Sequence, residues 1–142
     1  MQVEINNQQE ALECPESDVA DLLCLALRME GRDAELSVAI VGDREIAELN
    51  RRFLGRRRVT DVLSFAYSDE GEPLAGEIIV NAELAARQAA GRPHSAQDEL
   101  MLYLVHGLLH LLGYDDHTEE DVGRMRRREH EVLAAAGRAV EF

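Results

Sequence analysis

Apolar and polar positions recur along the chain with two periods, and together they divide it into nine segments. QVEIN, residues 2 to 6, alternates and predicts a short strand. Val19, Leu22, Leu23 and Ala26 then make the stripe of a helix. Ser17 is its predicted cap, Asp18 and Asp21 sit where the helix dipole favours negative charge, and Gly31 ends it. ELSVAIV, residues 35 to 41, reads as a strand. A helix from Asp43 to about Phe53 is expected to bury Ile46, Leu49 and Phe53. VLSFAY (62 to 67) and GEIIV (76 to 80) are two further strands, separated by the turn-rich SDEGEPLA. Asn81 to Ala90 forms a short helix closed by Gly91.

The next segment differs from the others. Ser95 caps it, Asp98 follows three residues later in a capping-box-like arrangement, and the helix runs to Leu112 before Gly113 stops it. It is apolar almost all round, which places it centrally and buried. Thr118 caps the last helix, which ends near Gly137. The order β-α-β-α-β-β-α-α-α predicts an α+β fold, a small mixed sheet packed with helices around that central helix. With no internal repeat, low-complexity tract or dividing linker, residues 1 to 142 read as a single domain.

Composition adds little to this picture and charge adds more. A chain 46% hydrophobic and 30% charged is ordinary for a soluble globular protein. No apolar run approaches the roughly 20 residues that span a bilayer, so no membrane partner is expected. The opening MQVEINNQQE lacks a basic-then-apolar signal pattern, and the expected location is the cytoplasm. Cys14 and Cys24, ten apart, read as reduced packing residues. A formal net charge of −13 argues against a general nucleic-acid coat. Yet all fifteen basic residues are arginine, and nine fall in two clusters. One is Arg51, Arg52, Arg56, Arg57 and Arg58; the other is Arg124, Arg126, Arg127 and Arg128. Arginine grips phosphate in two places. Genome base composition is an equal explanation for an all-arginine composition, so only the clustering carries weight. Successive residues of the second cluster fan around a helix and do not form one patch.

The chemistry concentrates in HGLLHLLGYDDH, residues 106 to 117. Residues four apart on a helix lie on one face, about 6 Å apart along the axis, so His106 and His110 can aim two imidazoles at one ion. Gly113 lets the chain turn back toward that ion, and Asp115, Asp116 or His117 can complete a three-ligand zinc site with one position open for water. Two core histidines satisfied by hydrogen bonds are the bland alternative, which the Gly and Asp-Asp-His turn disfavours. The glutamate that makes HExxH a metallopeptidase is absent, and Gly107 stands in its place. A peptidase loses its built-in base; phosphodiester cleavage tolerates that loss, because arginine can neutralise charge on phosphate oxygens.

HGLLHLLGYDDH resembles the HGxLHLxGYDH signature of the YbeY family, bacterial metal-dependent endoribonucleases of rRNA maturation. LNRRFLGRRRVTDVLSF (49 to 65) is similar to that family's LNxxYRxxxxPTDVLSF element, GEIIV to its GDIxI strand, and HSAQDEL to its HSxxREL segment. Met125 also falls at the family's spacing, and the likeness covers roughly residues 40 to 130 in family order. Counted without gaps, the family's third histidine falls on Asp116, with His117 one residue late; the unbroken spacing to Met125 favours Asp116, and His117 stands as the alternative. The arginine that the resemblance would make catalytic is Leu54 here, leaving Arg56, Arg57 or Arg58 to supply charge from the same loop, which the family turns toward RNA.

The resemblance also sets Asp61 against the metal helix, where it either orients a histidine ligand or caps a turn. Thr60 and Ser64 read as structural, His94 as a loop anchor and His130 as exposed. Glu99 either faces the site or is a solvated first-turn carboxylate. The function implied is a zinc-dependent, single-strand-specific endoribonuclease with one zinc ion, acting on rRNA with the small ribosomal subunit. A ribosomal protein or a GTPase is the implied partner, and DNA is not an expected substrate. The alternatives are a zinc hydrolase of peptides or amides and a non-catalytic assembly factor with structural zinc.

Overall fold

In the computed structural model, which describes residues 1–141, alternation along the strands decides which side of the sheet each helix covers. The elements are β1 (Gln2–Asn7), α1 (Glu16–Met29), β2 (Ala34–Val41), α2 (Asp43–Leu54), β3 (Val62–Ala66), β4 (Leu74–Asn81), α3 (Ala82–Ala89), α4 (Ala96–Leu111) and α5 (Glu119–Ala135). Leu36, Val38 and Ile40 of β2 join Ile78 and Val80 of β4 in the main core, shared with α1, α3, α4 and α5. The intervening Val41 and Ile79 face the other way, into a small cluster with Leu63 and Ile46 beneath α2. One helix thus covers one face and four cover the other.

The sheet order is β1-β2-β4-β3. β1, β2 and β4 run parallel, joined by helical crossovers, while β3 pairs antiparallel with β4. The fold is α+β, as the segment order predicts. Against β3 and β4 lies α4, whose Leu100, Leu104, Val105, Leu108 and Leu109 are each 0% exposed. A helix apolar all round survives only where every face has a neighbour, and α4 has β3, β4, α1, α3 and α5 around it.

Some expectations are corrected. Helix α1 begins at Glu16 behind Pro15, without a side-chain cap, so Ser17 lies inside its first turn; proline is well suited to a helix start because its fixed φ is already helical and no amide there needs a partner. Phe53 is 57% exposed, since α2 buries its apolar stripe only at Ile46 and Ala47, and the ring rests against Phe65 instead, centroids 5.2 Å apart. β4 is longer than GEIIV at both ends, and β3 stops before Tyr67. Cys14 and Cys24 are both free thiols, as expected. No described helix is long and apolar enough to cross a membrane.

Candidate metal centre

Helix α4 delivers His106 and His110 to its last two turns, and the loop after Gly113 brings Asp116 back to them. Gly113 has φ +101°, a left-handed conformation that a side chain would strain, and this reverses the chain. The His106 and His110 Nε2 atoms are 3.1 Å apart, their rings nearly perpendicular at 82°. The Asp116 Oδ2 lies 3.4 Å from His110 Nε2, and the donor atoms of all three residues fall within 4.8 Å of one another. Two bonds of about 2.0–2.1 Å at a tetrahedral angle separate ligand atoms by roughly 3.3 Å. Two nitrogens and a carboxylate oxygen at this spacing fit zinc.

The structure accounts for Gly107. A Cβ there would sit 2.9 Å from Ser64 Oγ, 2.9 Å from Val62 Cγ2 and 3.0 Å from Ile78 Cγ2. Position 107 faces the sheet, away from the two imidazoles, and Ser64 Oγ donates to its carbonyl at 3.0 Å. A glutamate at this position would enter the sheet interface, so the missing base reflects how closely α4 packs on β3 and β4.

His106 Nδ1 donates to Glu129 Oε2 at 2.7 Å, and Glu129, on α5, is only 3% exposed. Burial by itself pulls the His106 pKa down, but the hydrogen bond to Glu129 and the negative charges of Glu129, Asp61 and Asp116 raise it above the ordinary imidazole value. Sequence reasoning missed Glu129. Its signal was the stripe Met125, Glu129, Val132, Leu133, all buried, which puts one carboxylate on the inward face of α5.

Beside the histidines opens a cavity of about 510 Å³ between α3 and α5, floored by α4. Its lining includes Asp61, Gln88, Arg92, Tyr103, His106, Asp116, Met125 and Glu129. Asp61 caps its own turn: Oδ1 accepts from the Val62 amide at 2.9 Å and from the Thr60 hydroxyl at 3.2 Å. It also contributes to the field at His106, but the bond to that ring comes from Glu129.

Two buried asparagines hold the loop that ends in Asp61. Asn50 Nδ2 donates to the Arg58 carbonyl at 3.2 Å. Asn81 caps α3 with its side-chain oxygen, while its Nδ2 donates to Asp43 at 2.7 Å and to the Thr60 carbonyl at 3.3 Å. Arg56, Arg57 and Arg58 are exposed, and Arg57 and Arg58 border a hollow beside α2 rather than the cavity at His106. Arg57 pairs with Glu48, which also binds Arg51. Among the described residues, Arg52, Arg56 and Arg58 have no ion-pair partner. Leu54 is 62% exposed.

The remaining candidates disperse. His117 lies 3.0 Å from Asp115 Oδ1 with its side chain 80% exposed, outside the group formed by His106, His110 and Asp116. Glu99 is the exception: it faces the site, lining the cavity with His106, and at 1% exposure it holds Arg92 at 2.7 Å and His94 Nε2 at 2.7 Å, because the chain before α4 folds over its first turn. His94 is a loop anchor, its Nδ1 accepting from the Glu141 amide at 3.0 Å. His130 is exposed on α5. The second arginine cluster divides as its helical spacing predicts: Arg128 turns inward to Glu30 at 2.7 Å, Arg124 reaches Glu120 and Arg126 lines the cavity.

Comparison with known proteins matches the chain to a family. A family model described as Endoribonuclease YbeY matches residues 4–137. A protein of that name from Anaeromyxobacter sp. (strain Fw109-5) is 46% identical over 107 residues, 74% of this chain and 56% of its own length. Another, from Desulfitobacterium hafniense, is 45% identical over 121 residues, covering 78% of this chain and 77% of that one. The Bacillus subtilis protein of that name is 39% identical over 133 residues, 84% and 85% of the two chains. A solution structure from Thermotoga maritima superposes with a TM-score of 0.65 at 27% identity, over 94% of this chain and 91% of its own.

Proposed function

The chain belongs to the Endoribonuclease YbeY family, and from that premise we propose that it is a zinc-dependent endoribonuclease specific for single-stranded RNA, acting in rRNA processing and ribosome quality control. The observation that carries the reading is the convergence of His106, His110 and Asp116, with His106 and Asp116 lining a cavity that also contains Asp61. On this reading residues 1 to 142 act as one catalytic domain in the cytoplasm. Its partners are RNA and the small ribosomal subunit, through a ribosomal protein or a GTPase, and DNA is not a substrate.

His106 Nε2, His110 Nε2 and Asp116 Oδ2 would hold the single ion, with His117 close enough in sequence to serve the same loop. Zinc bound there would supply a Lewis acid for a phosphate oxygen and lower the pKa of a bound water to about 7. The chain's own groups do the rest. Arg56 and Arg58, free of ion pairs, would bind and neutralise phosphate, with Arg57 held in reserve on Glu48. Asp61 keeps Oδ2 clear of the hydrogen bonds that occupy Oδ1, and this oxygen can accept a proton beside the site. Position 107 points into the sheet, and Glu99, the α4 carboxylate that lines the cavity, is committed to Arg92 and His94, which weighs against a peptidase.

The test is cleavage of a single-stranded RNA and of the matching duplex by protein of measured zinc content, wild type against His110→Ala. The expected result is single-strand cleavage that scales with zinc and disappears in the variant. Equal cleavage by His110→Ala, or cleavage independent of metal content, overturns the proposal.

A further inference from the structure

Glu129 is an unusual residue for the inside of this protein. It is 3% exposed, and its hydrogen bond is to His106, at 2.7 Å from Oε2 to Nδ1. A carboxylate taken out of water is costly unless it is paired, and replacing a buried ion pair by apolar side chains is often neutral or stabilising. The neighbouring inward positions of α5 are Met125, Val132 and Leu133, the residues expected for stability alone. The other buried glutamate differs: Glu99 binds Arg92 and His94 and so ties the loop before α4 to the helix. Glu129 ties α5 to one candidate ligand.

We propose that Glu129 is a positioning residue of the metal centre, holding the His106 ring in the tautomer that presents the Nε2 lone pair to the ion. A neutral imidazole has one N–H and one lone pair, and the partner of one nitrogen determines which lies where. With Nδ1–H committed to Glu129, the lone pair must lie on Nε2, the atom that meets His110 Nε2 at 3.1 Å and belongs to the cluster with Asp116. The same bond fixes the ring's rotation, and its negative charge makes Nε2 a more basic donor. It also makes the docking of α5 on α4 a condition of the site. This rests on the metal-centre reading above; Asp61, bonded to its own turn, does not make the contact.

The experiment uses the full chain and zinc alone, with no RNA. Zinc affinity is measured by chelator competition for wild type, Glu129→Leu, Glu129→Gln and His110→Ala, with circular dichroism of the metal-free proteins to establish folding. Glu129→Leu should lose 10–100-fold in affinity, as loss of such outer partners typically does. Glu129→Gln keeps an acceptor for Nδ1–H without the charge and should lose less. In zinc-loaded wild type the His106 Nδ1 proton should give a slowly exchanging resonance, retained in the glutamine variant and absent from the leucine one. A folded Glu129→Leu that binds zinc within about twofold of wild type overturns the proposal. Should the leucine variant not fold, a Glu129→Gln that shows neither a loss of affinity nor the Nδ1 resonance overturns it. If His110→Ala also retains zinc, the metal centre itself fails; loss in His110→Ala alone rejects only the role of Glu129.

Discussion

Putting a glutamate back at position 107 would complete the HExxH pattern, and the structure predicts that it would damage the fold rather than create a peptidase. A Cβ alone meets Ser64 Oγ and Val62 Cγ2 at 2.9 Å, closer than real Cβ contacts allow, and Ile78 Cγ2 at a tight 3.0 Å. In Gly107→Ala this overpacking costs about 1–3 kcal/mol. The gain from replacing glycine inside a helix returns about 1 kcal/mol. The alanine variant should therefore lose from nothing to about 2 kcal/mol. Gly107→Glu adds a carboxylate among Val62 and Ile78, a further penalty of several kcal/mol if it stays charged, for a total above about 4 kcal/mol. At an unfolding entropy near 2 cal/mol/K per residue, a chain of this size loses about 3 °C in Tm per kcal/mol, so the melt should fall by more than about 12 °C. Thermal melts of metal-free protein, followed by circular dichroism, separate this from any change in metal binding. A Gly107→Glu protein melting within about 3 °C of wild type would refute the claim that α4 packs too closely on the sheet for a side chain there.

Asp116→Ala should cost far more zinc affinity than His117→Ala, measured by chelator competition, because the Asp116 carboxylate and not the His117 ring lies with His106 and His110; the reverse order would mean that the loop closes differently around the ion. Replacing Arg56 and Arg58 with Gln should flatten the dependence of log binding constant on log salt for single-stranded RNA by about 1.4, two contacts at about 0.7 each, and an unchanged slope removes both from the interface. His106 keeps its proton above the ordinary imidazole pKa, so its contribution to the stability of the metal-free protein is fully present below about pH 6.5 and is lost as pH rises through the raised value. Zinc needs the neutral ring, so its affinity should fall and its proton release grow on acidification; a zinc affinity flat from about pH 8 to about pH 6 would contradict this.

The elements that were legible in the sequence are those whose burial is one-sided or complete. Alternation gave β2 away, and an unbroken apolar run gave α4, because each pattern has one stable placement. Phe53 was misread because a helical stripe says which residues share a face but not how far the core extends beneath it. The two histidines were legible because spacing on one helix is spacing in space. Glu129 was not, since the contact spans 23 residues and depends on how α5 is docked. Asn50 and Asn81 were missed for the same reason: their amides bond backbone carbonyls that only the tertiary fold brings near.

The departures at Asp116 and in the arginine loop make more sense together than apart. A divalent ion at the two histidines and Asp116, with Glu129 behind one ring and Asp61 beside it, would face three carboxylates, with Arg126 also lining the cavity. Such a centre would attract a phosphodiester less than one with a third histidine, and a chain of net charge −13 adds no general attraction. Within the cavity Arg92 is already offset by Glu99. Arg126 lines the same cavity, and on the loop leading to Asp61 Arg56 and Arg58 have no ion-pair partner among the described residues. On the proposed function, an aspartate in place of a third histidine therefore raises the demand for positive charge from Arg56 and Arg58. This predicts coupling between the two places. Asp116→His, with zinc retained, removes one negative charge at the ion and should strengthen RNA binding. It should also reduce the loss caused by replacing Arg56 and Arg58 with Gln. A double-mutant cycle on RNA affinity at fixed salt measures the coupling, expected at roughly 0.5 kcal/mol or more for groups that share one ligand. Strict additivity would show that the arginine loop and the metal centre do not act on the same phosphate.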